Sequence, residues 1–588
     1  MSERQPPSPQ GSDARDTGCI NLRWCAALLD GLAAAGMTTL VLSPGSRSTP
    51  VVLAAQRRAE LDIVPILDER SAAFFALGVA RASGRPVALL ATSGSAPAHW
   101  YPAVIEASEA GVPLILLSAD RPPRLRNWGA NQTIDQTRLF GAFVREQHDP
   151  GLPQDDAAAL KAMRALGLRA GSISVAPNPG PVHLNLPFEE PLLPAGDCQP
   201  AQESRPDARL QMRLSSVSSG VSSAVSAESF GFALPPGRGL IVCGPGRFDD
   251  DLSAALSRCA HQLGLPVLAD PLSGLRFGPD SAGFISGYDT LLRNAKLAGA
   301  LRPDWVLRFG RTPVSKRLGQ WLNGIPSILV DPAGGWSDPS HDLVQRHCLT
   351  PTAACTALAG TDQDPIDHRW RDGWLAADRR SAERASRHLA ESPWCEGHIV
   401  RTLMARVPAG EALLCANSMP IRQFDTWSGT RTAPLTLFCN RGVSGIDGQL
   451  STLAGLNHAG LHDGNRPTWA LLGDLSLCHD LSGLLLSARL QRPVIVINNQ
   501  GGRIFDYLPQ HGRPGFTELW RTPVDIEFGA LAATFGLPHR RVKDAAEFDQ
   551  ALDDALQQDR AGRLIEVCMD GDQSRRVHTQ FWSQAEAD

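Results

Sequence analysis

The run TWALLGDLSLCHDLSGLLL, followed by PVIVINNQGG, holds the residues of this chain best suited to chemistry. Its apolar stretches and polar breaks read as strand, acidic turn, helix, strand and an Asn-Asn turn rich in glycine, which sets Asp474 and Asn499 at neighbouring strand ends. A carboxylate, an amide oxygen and a free backbone carbonyl near Gly501 are hard oxygen ligands for a small divalent ion, with a diphosphate completing an octahedron. Gly501 and Gly502 would let the backbone approach that diphosphate closely. Taken singly, the same residues read equally well as a helix cap at Asp474 and a turn at Asn498 and Asn499.

The spacing decides between these readings. Gly473-Asp474, then roughly two dozen residues, then Asn-Asn resembles the diphosphate-binding motif of thiamine diphosphate enzymes. It departs from the general Gly-Asp-Gly form at Leu475. Such a cofactor needs a carboxylic acid beside its aminopyrimidine ring, and Glu69, in VPILDERSAAFFALGVA at a strand-to-helix junction, is the candidate. A hydrogen bond from it to ring N1′ would favour the imino tautomer that removes the C2 proton of the thiazolium. Outside this context, a glutamate there is more often a helix N-terminal carboxylate stabilised by the dipole.

Alternating elements must position these groups. From about Asn21 to Glu190, the runs TTLVLS, DIVPILD, PVALLAT and PLILLSA alternate with amphipathic helical patterns. A second block holds LIVCGPG, LPVLAD, DWVLRFG and PSILVDP; a third holds ALLCAN, LTLFCN, TWALLGD, PVIVINN and RLIEVCM. Alternation of this kind predicts parallel sheets covered on both faces, with ligands at the C-terminal strand ends. The expected architecture is α/β, with three doubly wound parallel-sheet domains at 19–195, 236–390 and 391–588, a polar tail at 1–18 and a Ser- and Gly-rich linker or insertion at 196–235. A length of 588 residues suits several cores rather than one.

Lys+Arg 56 against Asp+Glu 61, with 43% apolar residues, excludes a nucleic-acid-coating or disordered chain, so an anionic ligand must find a local cluster of arginines. Twelve cysteines are scattered without a C-x-x-C pair, which predicts buried, reduced thiols in a cytoplasmic protein. The N-terminal stretch lacks an apolar h-region and no later run is long enough to cross a bilayer, so no membrane association is expected.

SPGSRSTP, DERSAAFFALG, ATSGSA, YPAVIEA, LILLSADRPP, GANQTIDQ, HLNLPFEEPL, NSMPIR, NRGVSGIDG, GDLSLCHDL and NNQGGRIFDYLP together resemble the 2-succinyl-5-enolpyruvyl-6-hydroxy-3-cyclohexene-1-carboxylate (SEPHCHC) synthases. These stretches run through the first and third blocks in the family's order; in the middle block the likeness rests on SKRLGQW. The resemblance implies thiamine diphosphate with Mg²⁺, or Mn²⁺, bridging two subunits of a homodimer or dimer of dimers, Glu69 as pyrimidine activator, and Asp474, Asn499 and the Gly501 carbonyl as metal ligands. It also implies cofactor contacts from Ser93, Gly94, Asn131, Gln132, Ser418, Met419, Gly473, Leu475, Ser476, Gly502 and Ile504. Ile446 and Phe505 are similar in position to residues packing around the thiazolium. The implied reaction decarboxylates 2-oxoglutarate and adds the four-carbon remainder to isochorismate, on the route to menaquinone or phylloquinone.

Charge supports this independently, because the two substrates carry two carboxylates each. Arg47, Arg121, Arg422 and Arg441 each stand just beyond a strand, where a guanidinium can pair a carboxylate bidentately; Lys316 and Arg317 would reach in from the middle block. Ser418, Asn131 and Gln132 offer neutral hydrogen bonds. CGPGR, at Cys243 to Arg247, is a weaker phosphate signal, since a lone glycine turn is usually structural. Two rival readings share part of this evidence: another thiamine diphosphate lyase of acetolactate-synthase type, with little need for four arginines, and a non-catalytic regulatory homologue.

Overall fold

The computed structural model describes residues 16–198, 234–360, 368–462, 466–557 and 562–587. Most of the expected tail and nearly all of the Ser- and Gly-rich stretch lie outside them. Residues 17 and 18 are not tail: helix Thr17–Ala34 starts there, with the Asp16 carboxylate accepting the Cys19 N–H at 3.2 Å.

The first sheet comprises β1 (Thr39–Leu42), β2 (Asp62–Pro65), β3 (Val87–Ala91), β4 (Leu114–Asp120), β5 (Glu146–His148) and β6 (Val182–Pro187), in the order β2-β1-β3-β4-β6-β5. The second comprises β7 (Gly239–Cys243), β8 (Val267–Ala269), β9 (Trp305–Phe309), β10 (Ser327–Val330) and β11 (Leu343–His347), in the order β11-β10-β9-β7-β8. The third comprises β12 (Ala412–Cys415), β13 (Thr436–Phe438), β14 (Thr468–Gly473), β15 (Val494–Asn498), β16 (His539–Val542) and β17 (Leu564–Cys568), in the order β13-β12-β14-β15-β17-β16. Every pairing is parallel, and the central strands are apolar on both faces because helices cover both.

The chain forms two compact units, one holding the first sheet and the other the second and third. In the latter a single apolar cluster reaches from Phe277 and Val314 through Trp427 and Ile495 to Phe581. A fully buried Arg276 reinforces it, donating to the Asp425 backbone carbonyl at 2.9 Å and pairing with the Asp425 carboxylate.

The strand order makes crevices where the winding direction reverses. In the first sheet the reversal falls between β1 and β3, whose ends Leu42 and Leu90 are in register. In the third it falls between β12 and β14, and β14 continues in register into β15, with Gly473 level with Ile497. Asp474 and Asn499 therefore leave adjacent strands at nearly the same height.

Two expectations change here. The full helix expected after Asp474 is a single α-turn, Asp474–Cys478, followed by a 3₁₀ stretch, Leu481–Arg489. The Asp480 carboxylate is drawn to the Ser451 N–H and hydroxyl at 2.8 and 3.0 Å, and Gly483 lies so close that a Cβ would meet that of Leu450 at 2.8 Å. Nor are all the cysteines reduced: Cys19 and Cys198 form a disulfide across 179 residues, because the segment after β6 returns to the first helix. The other ten are free.

Candidate active site

The third sheet holds a set of oxygen donors fixed by hydrogen bonds. Asp474 is buried, and both its oxygens are engaged: Oδ2 accepts the Gly501 N–H at 2.8 Å and Oδ1 the Leu475 N–H at 2.7 Å. Burial pushes its carboxyl above the ordinary range, and those backbone donors pull it back. Gly501 has φ +110°, and a Cβ there would sit 2.3 Å from the Arg521 carbonyl, so only glycine fits. Its carbonyl is not free as expected, since the Arg503 N–H donates to it at 2.8 Å; the second lone pair is left. Asn499 donates its side-chain N–H to Glu396 at 2.7 Å, while its Oδ1 accepts nothing among the described residues. Arg503 in turn donates to the Asn499 backbone carbonyl at 2.7 Å.

This donor set fits a small hard cation. Among the described residues no group of three His, Cys, Asp or Glu is placed to hold a metal ion, so an ion here would receive one formal negative charge from Asp474 and need an anionic co-ligand. A diphosphate meets that need. Gly473, Leu475 and the buried Ser476 form the turn around Asp474, and Gly502, Ile504 and the half-buried Phe505 continue from Gly501; a Cβ on Gly502 would meet the Phe505 ring at 3.1 Å. Ser418, after β12, has φ +68°, a costly conformation for a residue with a side chain, and it starts the helix Met419–Trp427. Ile446 is half-buried in the loop before helix Gln449–His462.

In the first sheet, Glu69 opens helix Glu69–Ser83, but Asp68 does the capping, accepting the Arg70 and Ser71 N–H groups at 2.8 and 3.3 Å. The Glu69 carboxylate is half-buried and has no hydrogen bond among the described residues. Ser93, after β3, is buried with its hydroxyl unpartnered. Its neighbour Gly94, at φ +89°, donates to Gln136 at 2.9 Å, and the Gln132 side chain donates to the Ser93 carbonyl at 3.0 Å. Gln132 adopts φ +52°, and Asn131 is exposed.

The cations divide into two groups. Arg47 is buried and donates to the Phe188 carbonyl at 3.0 Å; it and Arg121 both pair with Glu190. In the other unit, Lys316, Arg317 and Arg422 line a cavity of about 400 Å³ with Met419 and Ile504. Arg422 donates to the Ser418 carbonyl at 2.6 Å, and burial together with the Arg441 charge lowers its pKa. Arg441 itself does not line the cavity and donates to Asn417 at 3.2 Å. Sequence reasoning missed Glu190, which sits inside a motif it had noted, and the aromatic side of the cavity, Tyr507, His578 and Trp582, whose spacing carries no signal. Gly244 of CGPGR serves packing: a Cβ there would meet the Arg311 carbonyl at 1.7 Å.

Parallel sheets with oxygen donors beyond the ends of β14 and β15, and beyond β2 a carboxylate unpartnered among the described residues, fit one class, that of the thiamine pyrophosphate enzymes. Family models agree: the N-terminal TPP-binding domain matches residues 23–139, the middle domain of thiamine pyrophosphate enzymes 219–415, and the C-terminal TPP-binding domain 426–567. Relatives named 2-succinyl-5-enolpyruvyl-6-hydroxy-3-cyclohexene-1-carboxylate synthase come from Haloarcula marismortui, 38% identical with 96% of this chain and 98% of the relative covered, and Dechloromonas aromatica, 40% identical with 91% and 96% covered. Another, from Chloroflexus aurantiacus, is 41% identical with 95% of each covered. The chain belongs to the SEPHCHC synthase family.

Proposed function

We propose that this protein catalyses the SEPHCHC synthase reaction, decarboxylating 2-oxoglutarate and adding the four-carbon remainder to isochorismate for menaquinone or phylloquinone synthesis. The observation that carries this reading is an oxygen cradle at Asp474, Asn499 and Gly501, three residues from Ile504 in the wall of a cavity lined by four cationic side chains, Arg293, Lys316, Arg317 and Arg422. Thiamine diphosphate, when bound, supplies a carbon nucleophile and an electron sink. Asp474, Asn499 and the second lone pair of Gly501 would hold its Mg²⁺ or Mn²⁺. Glu69 would hold or release a proton at the aminopyrimidine, for which it is kept free by Asp68 taking the cap.

Arg422, Lys316 and Arg317 would pair the carboxylates of 2-oxoglutarate, and Arg47 and Arg121 would exchange the exposed Glu190 for a substrate carboxylate. The apolar walls at Met419, Ile504 and Trp582 would exclude the water that otherwise protonates the intermediate carbanion equivalent. We further propose a homodimer or dimer of dimers, domains bounded at 19–195, extended back to Thr17 by its first helix, 236–390 and 391–588, and a cytoplasmic location. No helix among the described residues is long and apolar enough to cross a membrane. Ten free cysteines support a reducing compartment, in which the Cys19–Cys198 pair would be the exception.

The test is isochorismate consumption by purified protein with 2-oxoglutarate, thiamine diphosphate and Mg²⁺, omitting each in turn. Loss of activity on every omission is expected. Turnover with pyruvate instead of 2-oxoglutarate would assign an acetolactate-synthase type, and absence of CO₂ release from any 2-oxo acid would assign a non-catalytic homologue.

A further inference from the structure

Glu396 begins helix Glu396–Arg406 and is buried, far from any surface role. Both its oxygens receive donors: Oε1 takes the Asn499 side-chain N–H at 2.7 Å, and Oε2 takes the Gln423 side-chain N–H. The Gln423 oxygen accepts the Trp427 indole N–H at 2.8 Å, and the Ser574 hydroxyl holds the Glu396 backbone N–H at 3.3 Å. Gln423 and Trp427 are likewise buried, so water does not substitute for these partners.

The chain of bonds has only one polarity. An indole N–H can only donate, so Gln423 must turn its oxygen to Trp427 and its NH₂ to Glu396. Burial pushes the Glu396 carboxyl up while its Asn499 and Gln423 donors and the Arg503 charge pull it back; as a carboxylate it can only accept, so Asn499 must also turn its NH₂ to Glu396. The one unengaged atom of the Asn499 side chain is then its oxygen. We propose that Glu396 is a positioning residue, fixed in turn by Gln423 and Trp427, that locks the Asn499 amide with its oxygen presented to the divalent cation. This rests on the reading of Asn499 as a metal ligand.

The substitution Glu396→Gln conserves shape and reverses the logic. The introduced amide offers one acceptor and one donor to two donors; with Gln423 pinned by Trp427, its oxygen goes to Gln423 and its NH₂ obliges Asn499 to flip, aiming an NH₂ at the metal. Either of two compensating changes should undo this. Gln423→Glu accepts from both Trp427 and the introduced amide, freeing the oxygen of that amide for Asn499. Trp427→Phe releases Gln423 to turn, with the same result.

The experiment titrates Mn²⁺ into the full-length protein with thiamine diphosphate, reading free Mn²⁺ by electron paramagnetic resonance, with far-UV circular dichroism as a fold check. Glu396→Gln should weaken Mn²⁺ about 10- to 100-fold, the usual effect of a lost outer-shell partner. Glu396→Gln/Gln423→Glu should return the Kd to near wild type. Where that pair does not fold, Glu396→Gln/Trp427→Phe takes its place. An unchanged Kd in Glu396→Gln, or a folded double variant that stays weak, overturns the proposal. An unchanged Kd in Asn499→Ala overturns the metal-ligand reading itself, which separates the two failures.

Discussion

Two candidate regions, one in each unit, differ in how far the protein has completed them. At the ends of β14 and β15, Asp474 has both oxygens held, Asn499 is gripped through its amide and Arg503 ties down the Asn499 carbonyl. At the start of helix Glu69–Ser83, the carboxylate that would do chemistry is unsatisfied, while its neighbour Asp68 performs the structural task. The cations repeat the contrast: Arg47 and Arg121 share Glu190, whereas Lys316, Arg317 and Arg422 face a cavity. A binding cradle gains from rigidity, because every group fixed beforehand spares ordering entropy on binding. A proton-transfer group gains from waiting for its partner.

This contrast is broken or sharpened most by Glu69→Gln. Turnover should fall about 10²- to 10⁴-fold, with cofactor affinity changed less than about tenfold, since the carboxylate supports neither the fold nor the phosphates. Steady-state CO₂ release and a thiamine diphosphate titration followed by tryptophan fluorescence check both parts. Asp474→Ala should do the opposite, weakening Mg²⁺-dependent cofactor binding by at least about 100-fold. Were Asp474→Ala to bind normally and Glu69→Gln not to bind, the roles assigned to the two regions would be reversed.

A finer division concerns the arginines. Arg422→Ala should raise the KM for 2-oxoglutarate, in decarboxylation without a second substrate, by about 30-fold, the loss of one partly buried charge pair of about 2 kcal/mol. Arg47→Ala should raise it less than about tenfold, because Glu190 already occupies that guanidinium. Equal effects would erase the distinction.

The smallest effect is a matter of stability. Burial lowers the His183 pKa from 6.5 to about 4, with its Nε2 against the Ser118 hydroxyl at 2.7 Å. The unfolded chain protonates first as pH falls, so the contribution of neutral His183 is complete above pH 6.5 and is lost on acidification toward about 4, at up to about 1.4 kcal/mol per pH unit. Urea midpoints measured across that window should show a flatter acid limb in His183→Gln than in wild type. Identical limbs would remove His183 from the account.

The strands, and the residues at their ends, were legible because their information is local. TWALLGD and PVIVINN are short apolar runs stopped by polar residues, and parallel register alone brings Asp474 level with Asn499. What followed Asp474 was not legible, because a contact with Ser451 bends the expected helix into 3₁₀ turns. Arg47 and Arg121 read correctly as strand-end cations, but their sharing of Glu190 depends on how the segment after β6 returns. Glu396 and the Cys19–Cys198 bond share that cause: each joins groups more than a hundred residues apart, and no motif marks Glu396 or either cysteine.

By itself, then, the order of residues determined the α/β class, the three parallel sheets and the neighbouring strand ends at Asp474 and Asn499, since apolar periodicity and turn chemistry act over a few neighbours, while its motifs carried the resemblance that implied the cofactor class. Only the tertiary structure decided which cations are already paired, which carboxylate is left free and which way the Asn499 amide faces. Hydrogen bonds and ion pairs are short-ranged and directional, so those outcomes depend on distances that packing alone sets.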